Sequence, residues 1–201
     1  MNEGRRRLLV LLGAGAISGC ALMAPADVET QKELLTKIPA ELPAGTTHQA
    51  TLLVLPPDSK AVYDTTQMAY ERRPYEIAYF SRTEWGEKPS QMVQALLVRT
   101  LEKSRCVAAV VIPPFMGHVT HSLRTEIVAL EQDFTSEPAA FQLTLRVQLM
   151  AEATSRIAGT REISIREPMR EKTPYAGAIA ANDATAKALQ EVAEFVRAVL
   201  G

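Results

Sequence analysis

Between Phe141 and Leu149 the chain alternates without a break, with Phe141, Leu143, Leu145, Val147 and Leu149 apolar and Gln142, Thr144, Arg146 and Gln148 polar. A period of two places successive side chains on opposite faces of a strand, so this segment has one core face and one wet face. A row of five large apolar groups must be covered by another layer, which commits the chain to a sheet packed against something else. "TSRIAGTREISIREP" reads as its hairpin partner, turning around Ala158-Gly159 and showing Ile163 and Ile165 inward. "SLRTEIVALEQDF" alternates through Leu123, Thr125, Ile127 and Ala129, then changes parity at Leu130 and Phe134. A bulge, or a strand buried on both faces, accounts for the change.

The covering layer is also legible. "EKPSQMVQALLVRTLEKS" opens with Pro89 and carries a Val93, Leu96, Leu97, Leu101 stripe at helical spacing, and "DATAKALQEVAEFVRAVLG" carries Leu189, Val192, Val196 and Val199. Short apolar runs stopped by prolines, Ala50 to Pro57 and "VAAVVIPP", read as buried strands, the second returning from the first helix in a right-handed βα(β) layer. "QMAYERRPYEIAYFS" breaks its alternation at Pro74, which suits two short strands or an edge strand. The fold class expected is a single α/β domain with a mixed, mostly antiparallel sheet flanked by helices.

The N-terminus follows another logic. Arg5, Arg6 and Arg7 precede an apolar run from Leu8 to Ile17, which at ~1.5 Å per helical residue spans about half of a ~30 Å hydrocarbon core. It reads as a secretory signal. Ile17-Ser18-Gly19-Cys20 resembles the lipobox of bacterial lipoproteins, with cleavage between Gly19 and Cys20 and lipid attachment, of palmitate type, at Cys20. Several acyl chains on one residue anchor durably where a single chain does not. Ala21, not Asp, follows the anchor, which by analogy points to the outer membrane. The chain divides accordingly into residues 1–19 as signal peptide, 20–48 as lipidated N-terminus and tether, and 49–201 as the folded domain. The tether carries Pro25, Pro39 and Pro43 with a short helix expected around Glu29 to Ile38, and fully extended reaches roughly 90 Å. With Cys20 acylated, Cys106 is left without a partner and reads as a small buried thiol; a Cys20–Cys106 disulfide is the discarded alternative.

Removing residues 1–19 takes Arg5, Arg6, Arg7 and Glu3 from 22 basic and 23 acidic side chains and leaves a net charge of −3. Nothing in that balance points to nucleic acid. His118 and His121, with Glu126 nearby, invite a metal reading, but HxxH without further ligands fits a solvated loop better. Glu131 and Asp133 read as decoration of a strand edge, and no phosphate loop, nucleophile elbow, HExxH or CxxC occurs. Catalysis and cofactors are therefore not expected.

Six of the eleven aromatic residues (Tyr63, Tyr70, Tyr75, Tyr79, Phe80 and Trp85) fall between positions 63 and 85, with Arg72 and Arg73 among them. They serve either to plug the sheet or, as Tyr70, Tyr75, Tyr79 and Trp85, to form a partner- or ligand-binding face. In this window the sequence resembles the ABC-type transport auxiliary lipoprotein family, through Tyr63-Asp64-x-x-Gln67-Met68-x-Tyr70, the Pro74-Tyr75 strand start, the Arg82-x-x-Trp85 turn and, more loosely, Glu126 to Phe134 and the strand after it. The resemblance implies an outer-membrane-anchored periplasmic protein without ATPase activity. It further implies work with an MCE-domain protein and its ABC permease and ATPase in moving lipids or other hydrophobic substrates between membranes, and a fold like the N-terminal domain of TolB. A lipid-binding carrier with an apolar groove is the alternative function, and a homo-oligomer is compatible with either.

Overall fold

A computed structural model describes residues 29–42 and 45–201; the signal segment, Gly19 and Cys20 lie outside the described residues. In chain order the elements are β1 (Gln31–Glu33), β2 (His48–Val54), β3 (Asp58–Ser59), β4 (Gln67–Arg73), β5 (Glu76–Trp85), α1 (Pro89–Ser104), β6 (Val107–Val111), β7 (His121–Asp133), β8 (Ala140–Ala151), β9 (Arg156–Pro168) and α2 (Pro174–Leu200).

The alternating segment is β8, and it pairs antiparallel along its whole length with β7 on one side and β9 on the other. The far edge of β7 is divided among three parallel strands: β2 at its N-terminal end, β3 in the middle and β4 at its C-terminal end. β6 extends the β2 branch, while β5 and then β1 extend the β4 branch. This is the single mixed α/β domain expected, its long pairings antiparallel and its short ones parallel. β7 changes parity because the register slips between Ile127 and Ala129. The bulge at Val128 lets Leu123, Thr125, Ile127, Leu130 and Gln132 share the face of Phe141 to Leu149, all of them buried.

Both helices cover that face and touch each other. α1 presents Val93, Leu96, Leu97 and Leu101, all buried, and stops at Arg105 in a left-handed conformation (φ 51°). α2 starts nine residues before the segment whose stripe predicts it, capped by Thr173, whose hydroxyl accepts from the Ala176 N–H at 3.2 Å. Its first turns bury Gly177, Ala178, Ala180, Ala181 and Ala184, small residues that bring the helix close to the sheet and leave no large-apolar period to read. Gly177 lies against Gln132 near the C-terminal end of β7, and Phe195 and Val199 against Gly159, so α2 runs antiparallel to β7.

Two local expectations are corrected. The β8–β9 turn falls at residues 152–155, with Ser155 at φ 51°, and not at Ala158-Gly159, which lie inside β9. Gly159 is there for packing, since a Cβ would sit 2.8 Å from Val199 Cγ2 and 3.1 Å from Phe195 Cε2. The helix expected around Glu29 to Ile38 is instead β1 followed by an extended strap. β5 offers an unpaired edge that Gln31–Glu33 fills, and the strap's backbone is held by Asn182, whose side-chain amide donates to Leu34 O and accepts from the N–H groups of Thr36 and Lys37. Leu35 is buried and Ile38 packs on the core, so the last part of the stretch read as tether is bound to the domain.

Gly177→Ala should destabilise the fold, because its methyl would overlap the side-chain amide of Gln132, which is fully buried. A loss of ~1–3 kcal/mol is expected for such overpacking, read as a lower denaturation midpoint at unchanged m-value.

Candidate functional site

β7 gives the molecule a long axis of about 40 Å at ~3.3 Å per residue, and chemistry outside the core gathers at its two ends and on the face away from the helices. That face alternates with the core row and carries polar side chains. Arg146 bridges Glu126 and Glu162 at 3.0 Å each, linking β7, β8 and β9. The pairs are exposed and worth little to stability.

At the C-terminal end of β7 the same face holds two carboxylates in contrasting settings. Asp133 accepts from Thr135 N (2.7 Å), Thr135 Oγ1 (2.6 Å) and Arg166 Nη2 (2.5 Å). Burial alone would raise its pKa, but the bonds from Thr135 and Arg166 outweigh it and hold the carboxyl down at about 2. Glu131 accepts from the Tyr63 hydroxyl at 2.7 Å. Its pKa is raised, first by burial and then by Glu71 and Asp133, against the opposing Tyr63 bond. Burial, and Glu131 itself, push the Tyr63 phenol up as well. The Asp133–Arg166 pair ties β7 to β9 and the Glu131–Tyr63 pair ties β7 to the β3–β4 connection; among the described residues no metal-ligating group of three or more His, Cys, Asp or Glu forms.

The aromatic window does not form one face. Trp85 is core, 1 % exposed. Tyr70 stacks with Phe134 (5.6 Å between centroids) and tilts against Phe80 (4.4 Å), on the helix side of the sheet. Tyr79 pairs with Ala69 on the other side, its hydroxyl donating to Val62 O at 3.0 Å. Tyr75 alone is wholly exposed, at the tip of the β4–β5 hairpin. The four-residue face expected from sequence is thus corrected to one exposed tyrosine and three aromatics built into the sheet, because alternation sends neighbours along a strand to opposite sides. His121 sits at the start of β7 with Nδ1 3.1 Å from Thr120 Oγ1, and His118 is exposed in the loop before it. Cys106 is a fully buried free thiol, 3.1 Å from Ser104 Oγ.

Two apolar surfaces went unread in the sequence. The connection from β6 to β7 exposes Ile112, Phe115 and Met116 at the N-terminal end of β7. "IPPFM" carries that signal as bulky apolar residues displaced from a strand by two prolines. The second is a groove of about 460 Å³ between the strap and α2, where Tyr175 and Ile179 are exposed beside Lys37 and Asp183.

The family model for the ABC-type transport auxiliary lipoprotein component matches residues 33–195. The chain belongs to that family. The match of this auxiliary lipoprotein begins at β1, in keeping with the strap's place in the fold. Among solved structures the auxiliary lipoprotein is similar to protein XCC0632 from Xanthomonas campestris, with 19% identity, a TM-score of 0.75, and coverage of 85% of this chain and 95% of that one. It is also similar to an uncharacterized protein (11% identity, TM-score 0.69, 84% and 99% covered) and to the hypothetical protein CT253 from Chlamydia trachomatis (8%, 0.53, 76% and 98%). These likenesses show the fold. No curated protein sequence matches the chain.

The two carboxylates give opposite pH responses. Asp133→Asn should cost ~1–3 kcal/mol at neutral pH; because the folded pKa is depressed, the difference is full above the ordinary value of 3.8 and disappears as pH falls toward about 2. Glu131→Gln keeps an acceptor for Tyr63 and removes a charge whose folded pKa is raised. Its stability at pH 7 should equal or exceed the parent's, and any advantage should shrink as pH falls through the Glu131 pKa. Denaturant titrations across pH read both.

Proposed function

We propose that the protein is a non-enzymatic, lipid-anchored envelope component that docks an ABC-type transport assembly to a membrane, the outer membrane by the Ala21 signal. The assembly's periplasmic part is an MCE-domain protein, and its cargo is lipid or another hydrophobic substrate. The observation that carries this reading is the separation of functions along β7. The chain descending from Cys20 enters at β1, in the branch attached to the C-terminal end of β7, while the apolar Ile112–Met116 loop stands at the N-terminal end. An exposed apolar cluster on a polar domain marks a partner surface. Family membership supports an auxiliary role beside an ABC transporter.

Carriage of lipid by the domain itself is the second reading, and the strap groove is its best support. That groove is open and lined as much by Glu33, Lys37 and Asp183 as by Tyr175 and Ile179, so docking is favoured.

Cys20→Ser should release the folded chain from membranes and lower transport by roughly 10²-fold, the effective-concentration advantage lost with a tether. Met116→Glu, at a position 98% exposed, should leave stability within ~0.5 kcal/mol while weakening co-purification with the MCE-domain component about tenfold. Unchanged transport by the Cys20→Ser chain, or undiminished co-purification of Met116→Glu, would count against the reading.

A further inference from the structure

We infer that the tip of the β4–β5 hairpin, centred on Tyr75, rests in the headgroup region of the membrane that holds the acylated Cys20. The inference rests on the lipid-anchor reading above and adds to it an orientation and a contact.

Strand direction supplies the first support. β1 pairs parallel with β5 through Gln31–Thr83, Lys32–Glu84 and Glu33–Trp85, so the chain upstream of Gln31 enters from the side of the beginning of β5. β5 begins at Glu76, directly after the hairpin turn. The eleven peptide links from Cys20 to Gln31 span at most ~40 Å. The stretch of β5 from Thr83 back to Glu76 takes up about 23 Å of that at ~3.3 Å per residue. Eleven links are therefore long enough for Cys20 to reach the level of the tip. Reaching the opposite end of β7 would require the chain to reverse over its own strand and then stretch almost fully.

The turn itself supplies the second. Arg73 and Glu76 pair, leaving Pro74 and Tyr75 as a two-residue turn. Pro suits the first corner, but Tyr75 takes φ 72°, a conformation that glycine adopts freely and a bulky side chain adopts only at a cost. No packing offsets that cost, because the side chain is fully exposed. The backbone N–H of Tyr75 donates to Glu71 Oε1 at 3.0 Å, a bond that any residue except proline could make. The sequence thus retains an exposed aromatic where the fold would prefer glycine, and strain of this kind points to a role outside the fold. Arg73 is exposed at the base of the turn, and Arg72, exposed one residue earlier, lies over the Tyr70 ring at 5.1 Å. Tyrosine beside arginine is the pairing that a membrane interface rewards: the ring sits at headgroup level and the guanidinium groups meet lipid phosphates. Tyr175, also exposed, starts α2 at this same end of the molecule.

The test uses the full acylated chain reconstituted into phosphatidylethanolamine and phosphatidylglycerol vesicles containing lipids brominated near the glycerol end of the acyl chain. Trp85, the one tryptophan, is buried and supplies the background. In the Tyr75→Trp chain the added emission should shift to the blue on reconstitution and be quenched roughly twofold or more by brominated lipid, as for an interfacial ring. The parent emission and that added by Met116→Trp should be unchanged. Co-sedimentation with the vesicles reports the anchor separately. A chain that sediments while Tyr75→Trp stays unquenched, or while Met116→Trp is quenched instead, overturns the tip contact and leaves the anchor standing. A chain that does not sediment overturns both.

Discussion

Everything in this fold depends on the pairing of β7 with β8. Twelve aligned residue pairs join them, and on the helix side every pair sets one core residue against another, from Leu123–Leu149 to Gln132–Phe141. A one-residue slip of β8 would turn Arg146 and Gln148 toward α2 and expose its leucines. The register is pinned by burial on one face, and on the other Arg146 spans Glu126 and Glu162 in this alignment. The bulge at Val128 is part of the same constraint. Without it, Leu130 and Gln132 would face solvent, and the C-terminal third of β7 would not meet the first turns of α2.

The parts of the structure legible in the sequence are those where one physical rule acts alone. β8 shows a strict period because it is central, wet on one side and dry on the other. α1 shows a stripe because its leucines and valine face a single layer. Legibility fails where tertiary contacts override the local pattern. Leu34, Leu35 and Ile38 have a helix-like spacing, yet β5 needs a partner and Asn182, almost 150 positions away, holds the backbone extended. The start of α2 is hidden because alanines and Gly177 pack by being small. Gly159 resembles a turn glycine but exists to admit Phe195. The aromatic window is visible as a cluster, but its division between faces comes from the β4–β5 register, which no count of tyrosines supplies. The apolar β6–β7 loop is masked by Pro113 and Pro114, which end the strand so plainly that Phe115 and Met116 look like ordinary connection.

Charge is distributed according to what each side chain must do. Asp133 is bonded by Thr135 and Arg166 and stays ionised, while Glu131 loses acidity to burial and to its acidic neighbours as it fastens Tyr63 of the β3–β4 connection. The partners of both are side chains of the same sheet and its connections.

The strap also has a mechanical meaning. β1 lies along β5 and is the first element after the chain enters the fold, so a pull from upstream runs along the strand and loads its few ladder bonds, with the Gly86 N–H to Glu33 O bond at 2.8 Å, together and in shear. Behind them stands the Asn182 clamp, which passes the load into α2 and from there across the sheet. Three residues of parallel strand and one asparagine thus act as the coupling through which tension on the N-terminal chain is felt by the whole domain, and as the place where it would first give way.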